Sequence, residues 1–264
     1  MGCGNGCRLR KKVDEMTQKQ HIENHEELSE KRIVVLGGSS GIGLAVAQQA
    51  VAGGARAIIA SSNADRVEQA LATLDGKAEG HTLDLSNERD IQTIFQKIGD
   101  FDHLVFTAGD TLQLNALMAT DLTKARHAFE LRYWAALAAV KYASPHIRQD
   151  GSIVLTTGVA GRRPRKGWTV AASICGTIEA LTRALAVELA PIRVNAVCPG
   201  VVRTNLWNNM QEQDREAMYE NASEHLLVGR VGEASEIARA YLFLMQQGYS
   251  TGQTIVVDGG AALT

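Results

Sequence analysis

The chain predicts an α/β fold: a doubly wound, seven-stranded parallel sheet with helices on both faces. Three observations carry that reading. Short apolar runs alternate with amphipathic stretches of helical length from residue 31 to residue 257. The first run, Ile33 to Leu36, breaks into a glycine-rich turn, Gly37-Gly38-Ser39-Ser40-Gly41-Ile42-Gly43, and a helix follows at once. Strands joined by helices of this length pair in parallel and lie buried on both faces, which suits their unbroken apolar character.

Taken in order, strands are expected at 33–36, 57–60, a third ending at Leu83-Asp84, then 104–107, 152–156, 193–197 and 254–257. Helices are expected at about 43–53, 65–74, 88–98, 122–143, 172–189 and 235–245. Pro145 and Pro191 close the two long helices, because the residue before a proline is pushed out of helical geometry. Residues 201–231 follow the sixth strand at the carboxyl edge of the sheet, where ligands bind in such folds. They carry Trp207, Met210, Met218 and Tyr219 and read as a substrate lid.

Residues 1–30 differ from the rest. They are rich in glycine and cysteine, then charged, with no sustained apolar face, and read as a flexible tail before one domain spanning 31–264. Met1-Gly2-Cys3, followed by Arg8, Arg10, Lys11 and Lys12, has features of an acylated terminus, with Gly2 and Cys3 as candidate sites. Gly6 departs from that pattern by standing where serine or threonine is usual. The net charge of -2 argues against a nucleic-acid footprint. No apolar run reads as long enough to cross a bilayer. Cys3, Cys7, Cys175 and Cys198 make no disulfide framework in a chain of 264 residues and point to a reducing, cytoplasmic compartment. Two thiols in a flexible tail are a poor metal site, and no metal is expected.

The turn after the first strand asks for glycines on physical grounds. It is tight, the backbone must come close to a pyrophosphate, and free N–H groups at the helix start must face the anion. The spacing is G-x-x-x-G-x-G. A tight turn without a ligand satisfies the same pattern, so the later motifs carry weight.

Those motifs, over residues 31–260, resemble the short-chain dehydrogenase/reductase family. Residues 37–43 resemble its T-G-x-x-x-G-x-G turn, with Gly37 in the threonine place. Asp84-Leu85 resembles the acidic step that meets the adenine, and Thr107-Ala108-Gly109 resembles the N-A-G turn. Pro199-Gly200 followed by Val202 and Thr204 resembles the stretch that holds the nicotinamide carboxamide, and Asp258-Gly259-Gly260 the closing motif. The resemblance implies a Rossmann-type fold, a nicotinamide cofactor, a small-molecule substrate and a homodimer or homotetramer built on the helices at 122–143 and 172–189. Cofactor contacts are expected at Gly37, Ser39, Ser40, Gly41, Ile42, Gly43, Asp84, Leu85, Ala108, Gly109, Pro199, Gly200, Val202 and Thr204. After the second strand stand Ser61, Ser62 and Asn63, which carry no carboxylate to repel a 2′-phosphate. NADP(H) is therefore favoured over NAD(H), with Arg56 or Arg66 as more distant help; the same three residues would also serve simply to cap the next helix.

The resemblance also implies a serine, a tyrosine, a lysine and a helix asparagine that work as proton donor and positioning groups. By spacing, those places fall on Gly158, Ala171, Cys175 and Arg132. No tyrosine lies between Tyr142 and Tyr219, and Lys166 alone of the lysines follows Lys141, so a shifted register does not restore the set. The remaining cleft candidates are Arg132, Asp110, Thr157 and Trp168, beside a basic run from Arg162 to Lys166. Arg132 stays protonated and suits oxyanion stabilisation. Trp168 suits stacking on a substrate, and Asp110 suits a cationic one. Hydride addition to an iminium cation needs no acid. The pattern is similar to the members in fungal indole-alkaloid pathways that lack the catalytic four and carry arginine at the asparagine place. The expected activity is thus an atypical NADP(H)-dependent oxidoreductase acting on an activated C=N bond. The alternative is a redox-silent catalyst of cyclisation or isomerisation, or a binding scaffold.

Overall fold

The structure is a computed structural model, and it describes residues 28–110, 112 and 114–264. The acylation candidates Gly2 and Cys3, and Cys7 with them, lie outside the described residues.

Seven parallel strands form one sheet: β1 (Arg32–Leu36), β2 (Arg56–Ser61), β3 (Ala78–Thr82), β4 (Phe101–Phe106), β5 (Ile147–Thr156), β6 (Arg193–Pro199) and, last in the chain, β9 (Thr254–Val257). Their spatial order is β3-β2-β1-β4-β5-β6-β9, so the winding reverses between β1 and β4. Val34 aligns with Leu104 on one side and Ile58 on the other. A short parallel pair, β7 (Val202–Arg203) with β8 (Gly232–Glu233), stands apart from the sheet. The helices are α1 (Gly41–Ala52), α2 (Ala64–Leu71), α3 (Glu88–Ile98), α4 (Leu122–Phe129), α5 (Ala135–Ala143), α6 (Thr169–Glu188), α7 (Glu212–His225) and α8 (Ala234–Gln246).

Two apolar layers bury the sheet. One face packs α3, α5 and α6 through Ile91, Phe95, Ala139, Val140 and Ile178. The other packs α1 and α8 through Val46, Ala50, Ile237 and Tyr241. A third, smaller cluster joins Tyr219, Leu226 and Val231 to Val159 and Ala261, so residues 201–231 are tied to the domain by their own apolar contacts.

Four expectations change. The third strand stops at Thr82, so Leu83-Asp84 lies in the turn beyond it. The helix expected over 122–143 is interrupted by a π-helical segment, Glu130–Trp134, between α4 and α5. The tail reading over-reaches by three residues: Leu28 is 2% exposed within the α1 layer, and Glu30 pairs with Arg56 at 2.7 Å. Finally, α6 is long and apolar enough to cross a membrane by length and composition, contrary to the reading of the sequence. Its residues Ile174, Ile178 and Leu185 are buried, as a core helix of an α/β fold requires.

Candidate active site

The carboxyl ends of β1 and β4 meet where the winding reverses, and the glycine turn sits there. Thr107, just beyond β4, donates its hydroxyl to the carbonyl of Leu36 at 3.1 Å, which fixes one strand end against the other. Gly43 packs into that corner: a Cβ there would fall 2.3 Å from the Gly37 carbonyl oxygen and 2.4 Å from Thr107 Oγ1. Gly41 opens α1 with φ +53°, and a Cβ there would meet only Thr204, at 3.4 Å. The space above the turn is therefore a cradle between the helix start and Thr204. Ser40 precedes α1 without using its side chain as a cap, and the first turn of α1 carries no acid. Free N–H groups and no opposing charge fit a pyrophosphate.

Along the rest of that edge the candidates divide. Asp84 Oδ1 accepts from the Ser86 amide at 2.9 Å and its hydroxyl at 2.8 Å, and these bonds hold its carboxyl below the usual range. Oδ2 is left to accept from a ligand. Leu85 is buried beside it. Ser61 closes β2 and Ser62 is exposed, whereas Asn63 caps α2 by accepting the Arg66 amide at 2.8 Å. Arg56 cannot reach this edge. It stands at the amino end of β2, bound to Glu30, five residues of strand away from Ser61. Across the turn, Gly200 packs on Asp258, which accepts from the amides of Gly260 and Ala262 at 2.9 and 2.8 Å. Val202 is buried in β7, and its carbonyl accepts from Trp207 Nε1 at 3.0 Å.

The π-helical segment supplies the centre of the cleft. Such a segment widens one turn, and it carries Arg132. The guanidinium lies over Gly109, where a Cβ would fall 2.6 Å from Cζ, so only glycine leaves it room. Arg132 Nη2 donates to the Asp110 carbonyl oxygen, and Nε lies 3.5 Å from Asp110 Oδ1. Neither Nε nor Oδ1 has a hydrogen-bond partner among the described residues, although both are buried. Burial pulls the Arg132 pKa down and Asp110 opposes the shift, so the guanidinium remains charged.

Arg132, Leu112, Ala128, Val170, Ala171, Ile174 and Cys175 line one cavity of about 30 Å³. A Cβ on Gly158 would lie 3.2 Å from Cys175 Sγ. The positions Arg132, Gly158, Ala171 and Cys175 thus converge, far apart in sequence as they are. Burial raises the Cys175 pKa and keeps the thiol protonated at neutral pH. Two candidates are placed differently from expectation. Thr157 gives its hydroxyl proton to the Cys175 carbonyl at 3.0 Å and so braces α6. Trp168 does not line the cavity; it precedes α6 with the Arg165 guanidinium 5.6 Å over its ring. The reading of the sequence missed Leu112, Ala128, Val170 and Ile174 as lining residues. Only the convergence of α4, α6 and the segment after β4 reveals them.

The family model described as Enoyl-(Acyl carrier protein) reductase matches residues 37–262. The short-chain dehydrogenase/reductase ATR9 of Stachybotrys chlorohalonatus is 37% identical over 246 residues, 88% of this chain and 96% of its own. A small-chain dehydrogenase solved in complex with NADPH is 41% identical with a TM-score of 0.80, over 89% of this chain and all of the other. The MalC Reductase/Diels-Alderase from Malbranchea aurantiaca is 29% identical with a TM-score of 0.85, over 91% of this chain and 99% of its own. With a turn and sheet of this geometry and matches of this extent, the chain belongs to the short-chain dehydrogenase/reductase family.

Proposed function

We propose that the protein is an NADP(H)-dependent reductase of an activated C=N bond, working without a side-chain acid. The observation that carries this is the composition of the convergent cluster. Arg132, Ala171 and Cys175 line one cavity, Gly158 lies beside Cys175, and none of the four is a phenol or an amine, while the cradle above Gly41 stays open. The solved relative that holds NADPH supports the cofactor, as do Ser61 and Ser62, which place no carboxylate at the end of β2.

NADPH would supply a hydride and leave as NADP+; the substrate C=N must therefore arrive as an iminium cation, already protonated or alkylated on nitrogen, so that its π pair goes to nitrogen and a neutral amine results with no proton drawn from the protein. A ketone would need a proton as well, and a positioned acid contributes about 10²–10⁴-fold. Arg132 is a fixed cation whose Nε faces Asp110 Oδ1 at 3.5 Å, and its charge at the cavity wall suits a substrate oxygen or carboxylate, while Asp110 steadies the guanidinium. Cys175 is a small packing residue against Gly158. The free thiols of Cys175 and Cys198 suit a reducing, cytoplasmic compartment. Exposed Leu122 and Trp134 on the outer side of the α4–α5 unit suit a homo-oligomer contact. A second reading, catalysis of a cyclisation, is favoured by the likeness to the protein described as a Reductase/Diels-Alderase and draws on the same Arg132–Asp110 pair.

A paired assay with NADPH, matched cyclic imines and ketones tests the proposal. Imines should be turned over and ketones should lag by about 10²-fold or more. Arg132→Ala should cut imine turnover by about tenfold or more, and Cys175→Ala should leave it close to wild type. Equal ketone turnover, or full loss in Cys175→Ala, would sink it.

A further inference from the structure

The run from Arg162 to Lys166 has no part in the chemistry above. Arg162 is accounted for: its Nε lies 3.1 Å from Glu179 Oε1, which pins the start of the loop to α6. Arg163, Arg165 and Lys166 are exposed, and none has a carboxylate within 4.0 Å among the described residues. The far end of the loop is fixed as well. The Trp168 amide donates to the Arg165 carbonyl at 3.0 Å, the Arg165 guanidinium lies over the Trp168 ring, and a Cβ on Gly167 would fall 3.5 Å from the Asn115 backbone. Three like charges are therefore held on one pinned turn.

The turn stands at the mouth of the cleft. It runs directly into α6, whose Val170, Ala171, Ile174 and Cys175 line the cavity, and at Gly167 it approaches the backbone of Asn115 and Ala116. Below it, the charge of Arg132 is offset by Asp110. On the neighbouring lid, Arg203 is held by Glu216 and Glu233, and α7 makes no ion pair with the loop among the described residues. The uncompensated charge at the mouth is thus positive. A bare iminium cation would be repelled there; a substrate that also carries an anion would be drawn in.

We propose that Arg163, Arg165 and Lys166 hold an oxyanion of the substrate, a carboxylate or a phosphate, so that the substrate class is an imine bearing an acidic group. This rests on the reductase reading. Binding the remote anion fixes the reacting carbon in the cleft below, which is how a group far from the chemistry contributes to its rate. Arginine suits this task, since its planar fork matches both oxyanions.

The test compares three cyclic imines of one skeleton with NADPH and the full chain: a carboxylate, a phosphate and the methyl ester. At low salt, kcat/KM for at least one charged imine should exceed the ester by about tenfold. The better charged arm identifies the source of the anion. In the double variant Arg163→Glu with Lys166→Glu that ratio should collapse towards one, and added salt should erode it in wild type. Equal kcat/KM for all three imines, or a ratio unchanged in the double variant, overturns the proposal. Calorimetric titration of the saturated cyclic amines, charged and ester, into protein with NADP+ separates the two readings. If no imine turns over yet the charged amine binds about tenfold tighter and loses that advantage in the double variant, the reductase reading fails and the anion site stands. If charged amine and ester bind alike, the anion site fails whatever the turnover.

Discussion

Gly43 has space for a hydrogen and nothing larger. A Cβ there would fall 2.3 and 2.4 Å from a backbone carbonyl oxygen and from a hydroxyl that is itself tied to β1. Gly43→Ala should therefore shift the whole turn, costing about 1–3 kcal/mol and weakening NADPH binding with it. Gly41 differs, because only its φ of +53° resists a side chain and a Cβ there would come no nearer than 3.4 Å to Thr204. Gly41→Ala should cost about 1–2 kcal/mol in backbone strain and fill the cradle. Urea denaturation and NADPH fluorescence titration on both variants separate the effects. Equal, small losses for both would show that the turn has slack that these distances deny. At this scale, charge and residue type were legible before the fold: Arg132 and Asp110 each stand out in the sequence as cleft candidates, but that they pair with one another shows only in the structure. That Gly109 is the seat of the guanidinium was not legible, because close approach between segments leaves no mark on spacing.

Secondary elements read well where one period governs them and poorly where tertiary contacts end them. The helix Glu88–Ile98 agrees with its sequence pattern at both ends, helped by Asn87, whose side chain accepts the Arg89 amide at 3.1 Å. The stretch 122–143 has an unbroken helical pattern, and nothing in it announces the π turn that carries Arg132. Bonding to the Asp110 carbonyl and seating on Gly109 are tertiary events, so they lie beyond any reading of periodicity. The lead-in to β1 shows the opposite error. Leu28 is one apolar residue in a polar stretch and looks like part of a tail, yet it is buried in the α1 layer near Gly53. Leu28→Ala should cost about 2–3 kcal/mol by thermal or urea unfolding. Glu30→Ala, which removes only an exposed ion pair with Arg56, should cost at most about 1 kcal/mol. A Leu28→Ala variant as stable as wild type would return this segment to the tail.

Across the whole molecule, polar burial is concentrated at the end of the sheet opposite the cleft. Asp102 accepts the Arg32 amide and pairs with Lys31 at 3.2 Å and Arg148 at 2.6 Å. Next to it on β4, His103 is 4% exposed and meets Ser152 Oγ of β5 at 2.9 Å. Arg193 opens β6 and donates to the carbonyls of Leu244, Met245 and Gln247, closing α8. This end joins four strands and a helix by charge and hydrogen bonding, while the cleft end is left with open N–H groups and uncompensated cations. Burial brings the His103 pKa down from 6.5 to about 4; Asp102 opposes that shift, and Arg193 and Lys31 add to it. The sign follows from which form the fold prefers. The folded chain holds the neutral ring and the unfolded chain takes up a proton below pH 6.5, so stability from this site is complete above 6.5 and is lost as pH falls through 4. The loss should reach about 3 kcal/mol by pH 4, from 1.36 kcal/mol per unit of pKa difference. Burial pushes the Asp102 carboxyl up, but the Arg32 amide, Lys31 and Arg148 together outweigh it and hold it below its usual value, so it gives way only at still lower pH. Urea unfolding of wild type and His103→Gln at intervals from pH 7 to 4 should show a steep fall in wild type and a nearly level line in the variant. Parallel slopes would mean that protons enter elsewhere, and that the closed end of the sheet does not hold its histidine neutral.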